Sequence, residues 1–218
     1  MCWSAQADLV AGSVVGGLGL LCLARTRRAR DLPLAALPLL LGVHQLIEAA
    51  VWQAADGRLG AGPGAWARTA WAVIALPLLP ALVPLGVWSA GPRTRHAAGF
   101  AALGAVVSLL LAAALIARPV SAEAHHRTLA YAVGVPYAPL LLAGYLAATV
   151  GSLLASGDRT LRQLGALVGV AALVSLLLWR LAFASTWCAL AALVSLVLLR
   201  WVGRAETNGP QPPGTLSP

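Results

Sequence analysis

The sequence predicts an all-α fold, a seven-transmembrane helix bundle with its N-terminus outside the cell and its C-terminus in the cytoplasm. Of its 218 residues, 60% are hydrophobic and only 10% are charged, whereas soluble domains carry about 25% charged residues. The apolar residues form runs long enough to cross a bilayer, with arginines in short clusters between them. These observations exclude a soluble globular enzyme, a disordered protein and a nucleic-acid-binding module, despite the formal net charge of +8.

Each predicted helix is an apolar run bounded by arginine, aspartate or a Gly-Pro pair. The runs cover residues 5–24, 33–54, 67–88, 97–117, 133–155, 163–181 and 184–202. The last two runs are treated as separate helices because one helix of about 40 residues is too long for a bilayer. Prolines interrupt the third run and the start of the fifth, so we expect both helices to be broken where a neighbour or a cavity satisfies the freed carbonyl groups. These prolines are Pro77, Pro80, Pro84, Pro136 and Pro139.

Pairs of small residues predict where helices approach each other closely. Gly12 and Gly16 lie four residues apart in the first run, and Gly165 and Gly169 do so in the sixth. Glycines at this spacing form a strip without side chains along one face of a helix. We therefore expect the backbones of neighbouring helices to meet at these two positions.

The distribution of arginine predicts the orientation. All 15 basic residues are arginine in a chain dominated by small and aliphatic residues, which is the usage of a GC-rich bacterial genome. Counted over alternate loops, ten arginines fall on one side and five on the other, and the richer side is expected in the cytoplasm. This predicts a multi-pass protein of the bacterial inner (cytoplasmic) membrane. A transmembrane domain would cover residues 1–204 and a disordered, proline-rich tail residues 205–218.

Polar side chains cluster in the second predicted helix. His44, Glu48 and Trp52 are spaced four residues apart and share one helix face, with Gln45 beside them. Glu48 is the only acidic residue well inside a predicted span, because Asp8 lies near the start of the first helix. A carboxylate that faced lipid would cost at least about 2.5 kcal/mol. We therefore expect this face to point into the bundle and Glu48 to be functional.

The predicted orientation places six of the eight tryptophans in the outer half of the bundle or in its loops. An aromatic belt marks both interfaces of a bilayer, so part of this set is expected to line an outward-opening pocket with Glu48 at its floor. The candidate substrate-binding residues are Trp3, Gln45, Trp52, Trp71 and Tyr137.

Such a pocket has the parts needed to protonate an isoprenoid alkene or epoxide and to guide its cyclisation. A carboxyl group among apolar walls keeps its proton and can act as a general acid, and desolvated aromatic faces stabilise a cation by about 0.5 to 2 kcal/mol each. We expect Glu48 to be the catalytic acid, His44 its partner, and Asp8 a second acid or base. The expected partners are the lipid bilayer and a lipid-soluble small-molecule substrate, without a cofactor, a metal ion or a nucleic acid.

Three other interpretations use the same residues. Glu48 can fix helix packing through a hydrogen bond to a neighbour. His44 and Glu48 have the spacing of helical zinc ligands, and His125 and His126 in an outer loop can complete a set. A non-enzymatic proton-coupled carrier, or a ligand-sensing bundle, can use His44 and Glu48 as a proton relay. An enzyme yields a chemically altered product, whereas a carrier yields an unchanged one.

The N-terminal quarter of the chain carries the motifs of a known sequence family. The chain begins Met-Cys-Trp-Ser-Ala, has a basic turn at residues 27–33, and carries His-Gln-Leu-Ile-Glu at 44–48 followed by Trp52. These features resemble an uncharacterised bacterial family of seven-helix membrane proteins that begin Met-Cys-Phe/Trp-Ser-Ala and contain a His-Gln-x-x-Glu segment. That family has no assigned function, so the resemblance implies a fold and no activity.

A looser resemblance is to the small seven-helix membrane-bound terpene cyclases. Those enzymes use an acidic residue in an early helix, which maps onto Glu48, and a second acidic residue in the last helix. Residues 186–200 contain neither aspartate nor glutamate. The resemblance therefore implies an acid-initiated cyclase of the class II type in which Asp8 takes the place of the second acid.

Overall fold

The structure is a computed structural model that describes residues 4–118, 120–125, 128–177 and 183–207. Within these ranges the chain forms seven helical stretches and one β-hairpin. The helices are α1 (Ala5–Arg25), α2 (Ala29–Ala55), α3 (Ala61–Ala90), α4 (Arg95–Ala117), α5 (Ala138–Leu154), α6 (Arg159–Leu177) and α7 (Phe183–Thr207). The hairpin consists of β1 (Ser121–His125) and β2 (Thr128–Ala132).

The predicted helical fold is confirmed, and each predicted apolar run overlaps one helix of the described chain. Helices α1 to α4 are long and apolar enough to cross a membrane. The boundaries differ in two places. Helix α5 begins at Ala138 rather than at 133, because β2 ends at Ala132 and a loop and turn at 133–137 lead into the helix. Helix α7 continues to Thr207, beyond the domain limit expected at 204. The remaining tail, 208–218, lies outside the described residues.

Helix α3 contains a π-helical turn, Ile74–Leu78, where its prolines interrupt the regular pattern. Pro80 has no N–H to donate to the carbonyl group of Ala75, five residues earlier in the π register. The Tyr145 hydroxyl of α5 donates to this carbonyl oxygen over 3.0 Å. The expectation that a neighbouring helix satisfies a carbonyl freed by proline is therefore confirmed in α3.

Helix α5 differs from the prediction, because its prolines do not break it. Pro136 precedes the helix and Pro139 lies in its first turn, where no backbone N–H is needed for helical hydrogen bonding. The irregular part of α5 is a second π-helical turn, Ala147–Gly151, about two turns further along the helix. Proline therefore marks the start of this helix rather than an interruption.

Helices α1 and α2 pack antiparallel with their backbones in close contact. A side chain at Gly12 of α1 would meet the carbonyl oxygen of Gly42, and a side chain at Gly42 would meet the backbone of Gly16. The predicted role of the Gly12 and Gly16 pair is thus confirmed. Because the two helices are antiparallel, Asp8, which precedes Gly12 in α1, lies opposite Glu48, which follows Gly42 in α2.

The β-hairpin covers one end of the bundle, a feature that the sequence analysis does not predict. Its strands pair antiparallel from Ser121 opposite Ala132 to His125 opposite Thr128. Leu129 of β2 is buried against Val51 and Trp52 of α2 and Ala67 of α3. We call this the hairpin end of the bundle and the opposite one the far end.

The main apolar core lies toward the far end. It joins α2, α3, α5, α6 and α7 through buried aliphatic residues that include Leu34, Leu37, Val83, Leu153, Leu164, Leu190 and Leu198. Gly165 of α6 lies against Leu153 of α5, where an added side chain would collide. The predicted close contact at this glycine is confirmed.

Candidate functional site

Two carboxyl groups meet beneath the hairpin. Asp8 of α1 is fully buried and Glu48 of α2 is only 2% exposed, and they lie close enough to interact electrostatically. The glycine contacts between α1 and α2 bring the two helix faces together at this point. The structure therefore places Asp8, the candidate second acid or base, beside Glu48.

Trp71 of α3 joins Glu48 to the hairpin. Its indole N–H donates to Glu48 Oε2 over 3.4 Å. Its ring stacks on Tyr131 of β2, with ring centroids 3.6 Å apart and planes within 2°, and lies 5.1 Å from the ring of His44. Trp52 lies beside the Asp8 carboxyl group. Aromatic rings thus surround the two acids.

Polar atoms around the acids retain unused hydrogen-bonding capacity. Among the described residues, no partner is found for His44 Nε2, for either amide atom of Gln45, or for the Tyr131 hydroxyl. His44 and Gln45 are 6% and 3% exposed. A buried polar group without a partner costs about 1 to 3 kcal/mol, and proteins keep few of them. These atoms therefore have hydrogen-bonding capacity that a bound molecule or a water can use.

Tyr131 is the polar group that the hairpin contributes. Burial, followed by the nearby carboxyl groups of Glu48 and Asp8, raises the pKa of the Tyr131 phenol, and Arg68 opposes this rise. Because the phenol stays protonated throughout the physiological range, it acts as a neutral hydrogen-bonding group beside the acids.

The candidate residues from the sequence largely come together in the structure. The ones that meet at this site are Asp8, His44, Gln45, Glu48, Trp52 and Trp71. Tyr137 requires a correction, because it is 81% exposed and precedes α5 in a left-handed backbone conformation. It cannot form a wall of a buried cluster, and Tyr131 provides the tyrosine ring instead. Trp3 lies outside the described residues.

Sequence reasoning missed Tyr131 because its position depends on the hairpin. A signal is present, since Leu129 and Tyr131 are two residues apart and therefore point to the same side of a strand. The expected outward-opening pocket also needs correction. The hairpin covers Glu48 in this structure, so the site is closed at that end.

The metal-site interpretation gains little from this arrangement. Within the described ranges, no group of three or more His, Cys, Asp or Glu side chains is close enough to hold a metal ion. His126 and the side chain of His125 lie outside the part that the structure describes. The described ligand candidates for a metal ion are therefore Glu48, Asp8 and His44, which do not form a ligand set.

The fold and the site define a class of protein: a helical bundle with helices apolar enough to cross a membrane and two buried carboxyl groups at one end. The profile of a family of unknown function, DUF6629, matches residues 1–212. The chain belongs to this family, so the expectation of an uncharacterised family is confirmed. No curated protein and no solved structure matches the chain.

Proposed function

We propose that this protein is a membrane-embedded enzyme that protonates an isoprenoid-like, lipid-soluble substrate and thereby starts its cyclisation. Glu48 is the general acid in this proposal, Asp8 the second carboxyl group and His44 their partner. The supporting observation is the burial of Asp8 beside Glu48 within an aromatic enclosure. The protein spans the bacterial inner membrane seven times, with the hairpin end outside.

A pair of neighbouring carboxyl groups suits this chemistry because it can hold a single proton. Two buried carboxylates repel each other, so the pair is most stable when one member is protonated. The protonated Glu48 transfers its proton to an alkene carbon, and the next double bond attacks the resulting cation to form a ring bond. The cyclised cation then loses a proton to the Asp8 carboxylate. As the product leaves, Asp8 gives its proton to solvent and Glu48 takes one from solvent, which restores the starting state, and the product is an isomer of the substrate.

The aromatic rings have a separate role in the proposal. Trp52 and Trp71 lie next to the acids, and Tyr131 stacks on Trp71. Each face stabilises a desolvated cation by about 0.5 to 2 kcal/mol. Because the hairpin closes this end, it also keeps water from capturing the cation before the ring forms.

The test is the formation of a deuterated isomer. Purified protein in lipid nanodiscs is incubated in deuterated buffer with a panel of polyprenylated aromatic compounds, and the products are identified by mass spectrometry. We expect an isomer carrying one deuterium from the wild type. Loss of the general acid in Glu48→Gln, or of the base in Asp8→Asn, should lower its rate by about 10² to 10⁴-fold.

Asp56→Asn is the matched control, because Asp56 is an exposed carboxyl group just after the last turn of α2. It should retain the wild-type rate. The proposal is wrong if the wild type converts none of the compounds, or if Glu48→Gln converts them as fast as the wild type.

A proton-coupled carrier is the second candidate, favoured by the same electrostatic contact between Asp8 and Glu48 beneath a cover. In that case the proton passes between the acids and a transported solute is released unchanged. Uptake into vesicles that follows an imposed pH gradient and is lost in Glu48→Gln, with no deuterated isomer, would favour the carrier over the enzyme.

A further inference from the structure

A second feature of the bundle is an apolar cavity of about 130 Å³ on the far-end side of the acids. Five helices form its wall, α2, α3, α5, α6 and α7. The wall is aliphatic over most of its area and includes Leu41, Val83, Leu146, Val168 and Val194. An apolar cavity of about 150 Å³ in a soluble protein stays dry and binds small hydrophobic molecules. The cavity is therefore of a size that can hold part of a hydrocarbon chain.

The two hydroxyl groups in the described wall do not make it polar. The Tyr145 hydroxyl donates to the carbonyl oxygen of Ala75 over 3.0 Å, and the Thr149 hydroxyl donates to the carbonyl oxygen of Tyr145 over 2.8 Å. Because both donors are used by backbone carbonyls, they offer little to water. The wall therefore favours a hydrocarbon over a polar ligand.

The backbone around the cavity is irregular. Thr149 and Val150 belong to the π-helical turn of α5, and Leu79 directly follows the π-helical turn of α3. Tyr145, two residues before the turn of α5, bonds to Ala75 in the turn of α3. Single π-helical turns are frequent at functional sites. Two of them meeting at one cavity is a second observation that points to a ligand.

The cavity and the acids share one face of α2. Leu37 and Leu41 line the cavity, and His44 and Glu48 follow at the spacing that keeps residues on the same side of a helix. At 1.5 Å per residue, Leu41 lies about 10 Å from Glu48 along the helix axis. His44 stands between them. A chain in the cavity would therefore have its near end directed at His44 and Glu48.

We propose that this cavity binds the hydrocarbon chain of a lipid-soluble ligand, with the end of the chain directed at the acids. The proposal deepens the proposed function by naming the place of the substrate's chain. Binding of a chain in the cavity does not itself require Glu48 to be catalytic. The two proposals can therefore fail separately.

The test is photolabelling of the full-length protein in nanodiscs with two probes. One probe is farnesol carrying a diazirine near the end of its chain, and the other is a phospholipid with a diazirine in its acyl chain. Labelled residues are located by mass spectrometry of peptides. We expect saturable labelling of the cavity wall around Tyr145 and Leu41, competed by unlabelled farnesol.

Ala172→Phe fills the cavity, because Ala172 of α6 lines it. Labelling of the wall should be lost in this variant. Leu173→Phe is the matched control, because the next residue of α6 is 57% exposed on the outside of the bundle, and it should keep the labelling. Ala191→Leu, a smaller addition to the wall from α7, provides a second cavity-filling variant if Ala172→Phe does not fold.

Each outcome decides the proposal. Labelling of the wall by the farnesol probe supports an isoprenoid ligand, and labelling by the phospholipid probe alone supports a bilayer acyl chain in the same site. Labelling that is confined to exposed residues, or that persists in both cavity-filling variants, overturns the proposal. If the wall is labelled and no deuterated isomer forms, the cavity proposal stands and the enzymatic one fails.

Discussion

The carboxyl groups at the two ends of the bundle differ in their hydrogen bonding. At the far end, Asp158 precedes α6, and its Oδ1 accepts hydrogen bonds from the backbone N–H groups of Thr160 and Leu161 over 2.7 and 3.1 Å. Its Oδ2 accepts a hydrogen bond from the Trp201 indole over 3.1 Å. This is the pattern of a helix N-cap with an added tertiary contact.

At the hairpin end, Glu48 accepts a longer hydrogen bond, 3.4 Å, from Trp71. It lies beside a second carboxyl group, and the nearby His44 Nε2 and Gln45 amide have no partner among the described residues. Interactions that stabilise a fold are satisfied, whereas functional sites often sacrifice stability. The contrast indicates that Asp158 is structural, and it agrees with the proposal that Asp8 and Glu48 serve chemistry.

The largest change in the free energy of unfolding is expected from a substitution that separates the helices that carry the two acids. In Gly42→Ala the new methyl group would meet the backbone of Gly16, so α1 and α2 must move apart. We expect the free energy of unfolding to fall by about 1 to 3 kcal/mol, as for other overpacked sites. Denaturant titration in detergent micelles measures this change.

The control for this prediction is Gly16→Ala in the partner helix. A methyl group at Gly16 would meet nothing within 4 Å, so stability should be unchanged or slightly higher. Equal losses in the two variants would show that the loss in Gly42→Ala does not come from the backbone contact between α1 and α2.

A second prediction compares a satisfied tyrosine with an unsatisfied one. Tyr145→Phe removes the donor to the Ala75 carbonyl, which Pro80 cannot replace, so we expect a loss of about 1 to 3 kcal/mol in the free energy of unfolding. Tyr131→Phe removes a hydroxyl for which no partner is found among the described residues, and its effect on stability should be close to zero. A larger loss of stability in Tyr131→Phe than in Tyr145→Phe would contradict this distinction between the two hydroxyl groups.

A third prediction concerns the cover over the acids. Leu129→Asp should undock the hairpin, because Leu129 is 5% exposed and packs on α2 and α3. We expect a water-soluble carbodiimide to label Asp8 and Glu48 several-fold faster, with labelling of the exposed Asp56 as the internal reference. Ser121→Asp, at an exposed position of β1, is the control. If both variants label like the wild type, the hairpin is not what closes the site.

Much of the fold could be predicted because its determinants are local. Apolar runs indicated the helices, and the spacing of Gly12 and Gly16 indicated the α1 contact. On α2, a single face carries His44, Glu48 and Trp52, and the cost of exposing a carboxylate to lipid indicated that this face is buried. These inferences need only helix periodicity and the properties of the bilayer.

The rest depends on contacts between distant parts of the chain. The hairpin pairs two strands of five residues, too short for alternation to stand out, so the sequence does not distinguish the buried Tyr131 from the exposed Tyr137. The cavity depends on side chains from five helices and on the bond from Tyr145 to Ala75. No spacing within one segment of the sequence encodes such an arrangement.

The most direct test of the contrast between the two ends is the free energy of unfolding of three variants, measured side by side in the same micelles. We predict that Asp158→Ala lowers it by about 1 to 2 kcal/mol, because a helix cap is lost. Glu48→Gln and Asp8→Asn should leave it unchanged or raise it, because carboxyl groups kept for chemistry contribute little to stability. A loss in Glu48→Gln as large as that in Asp158→Ala would show instead that Glu48 is a packing residue, and would contradict the assignment of the hairpin end as the functional site.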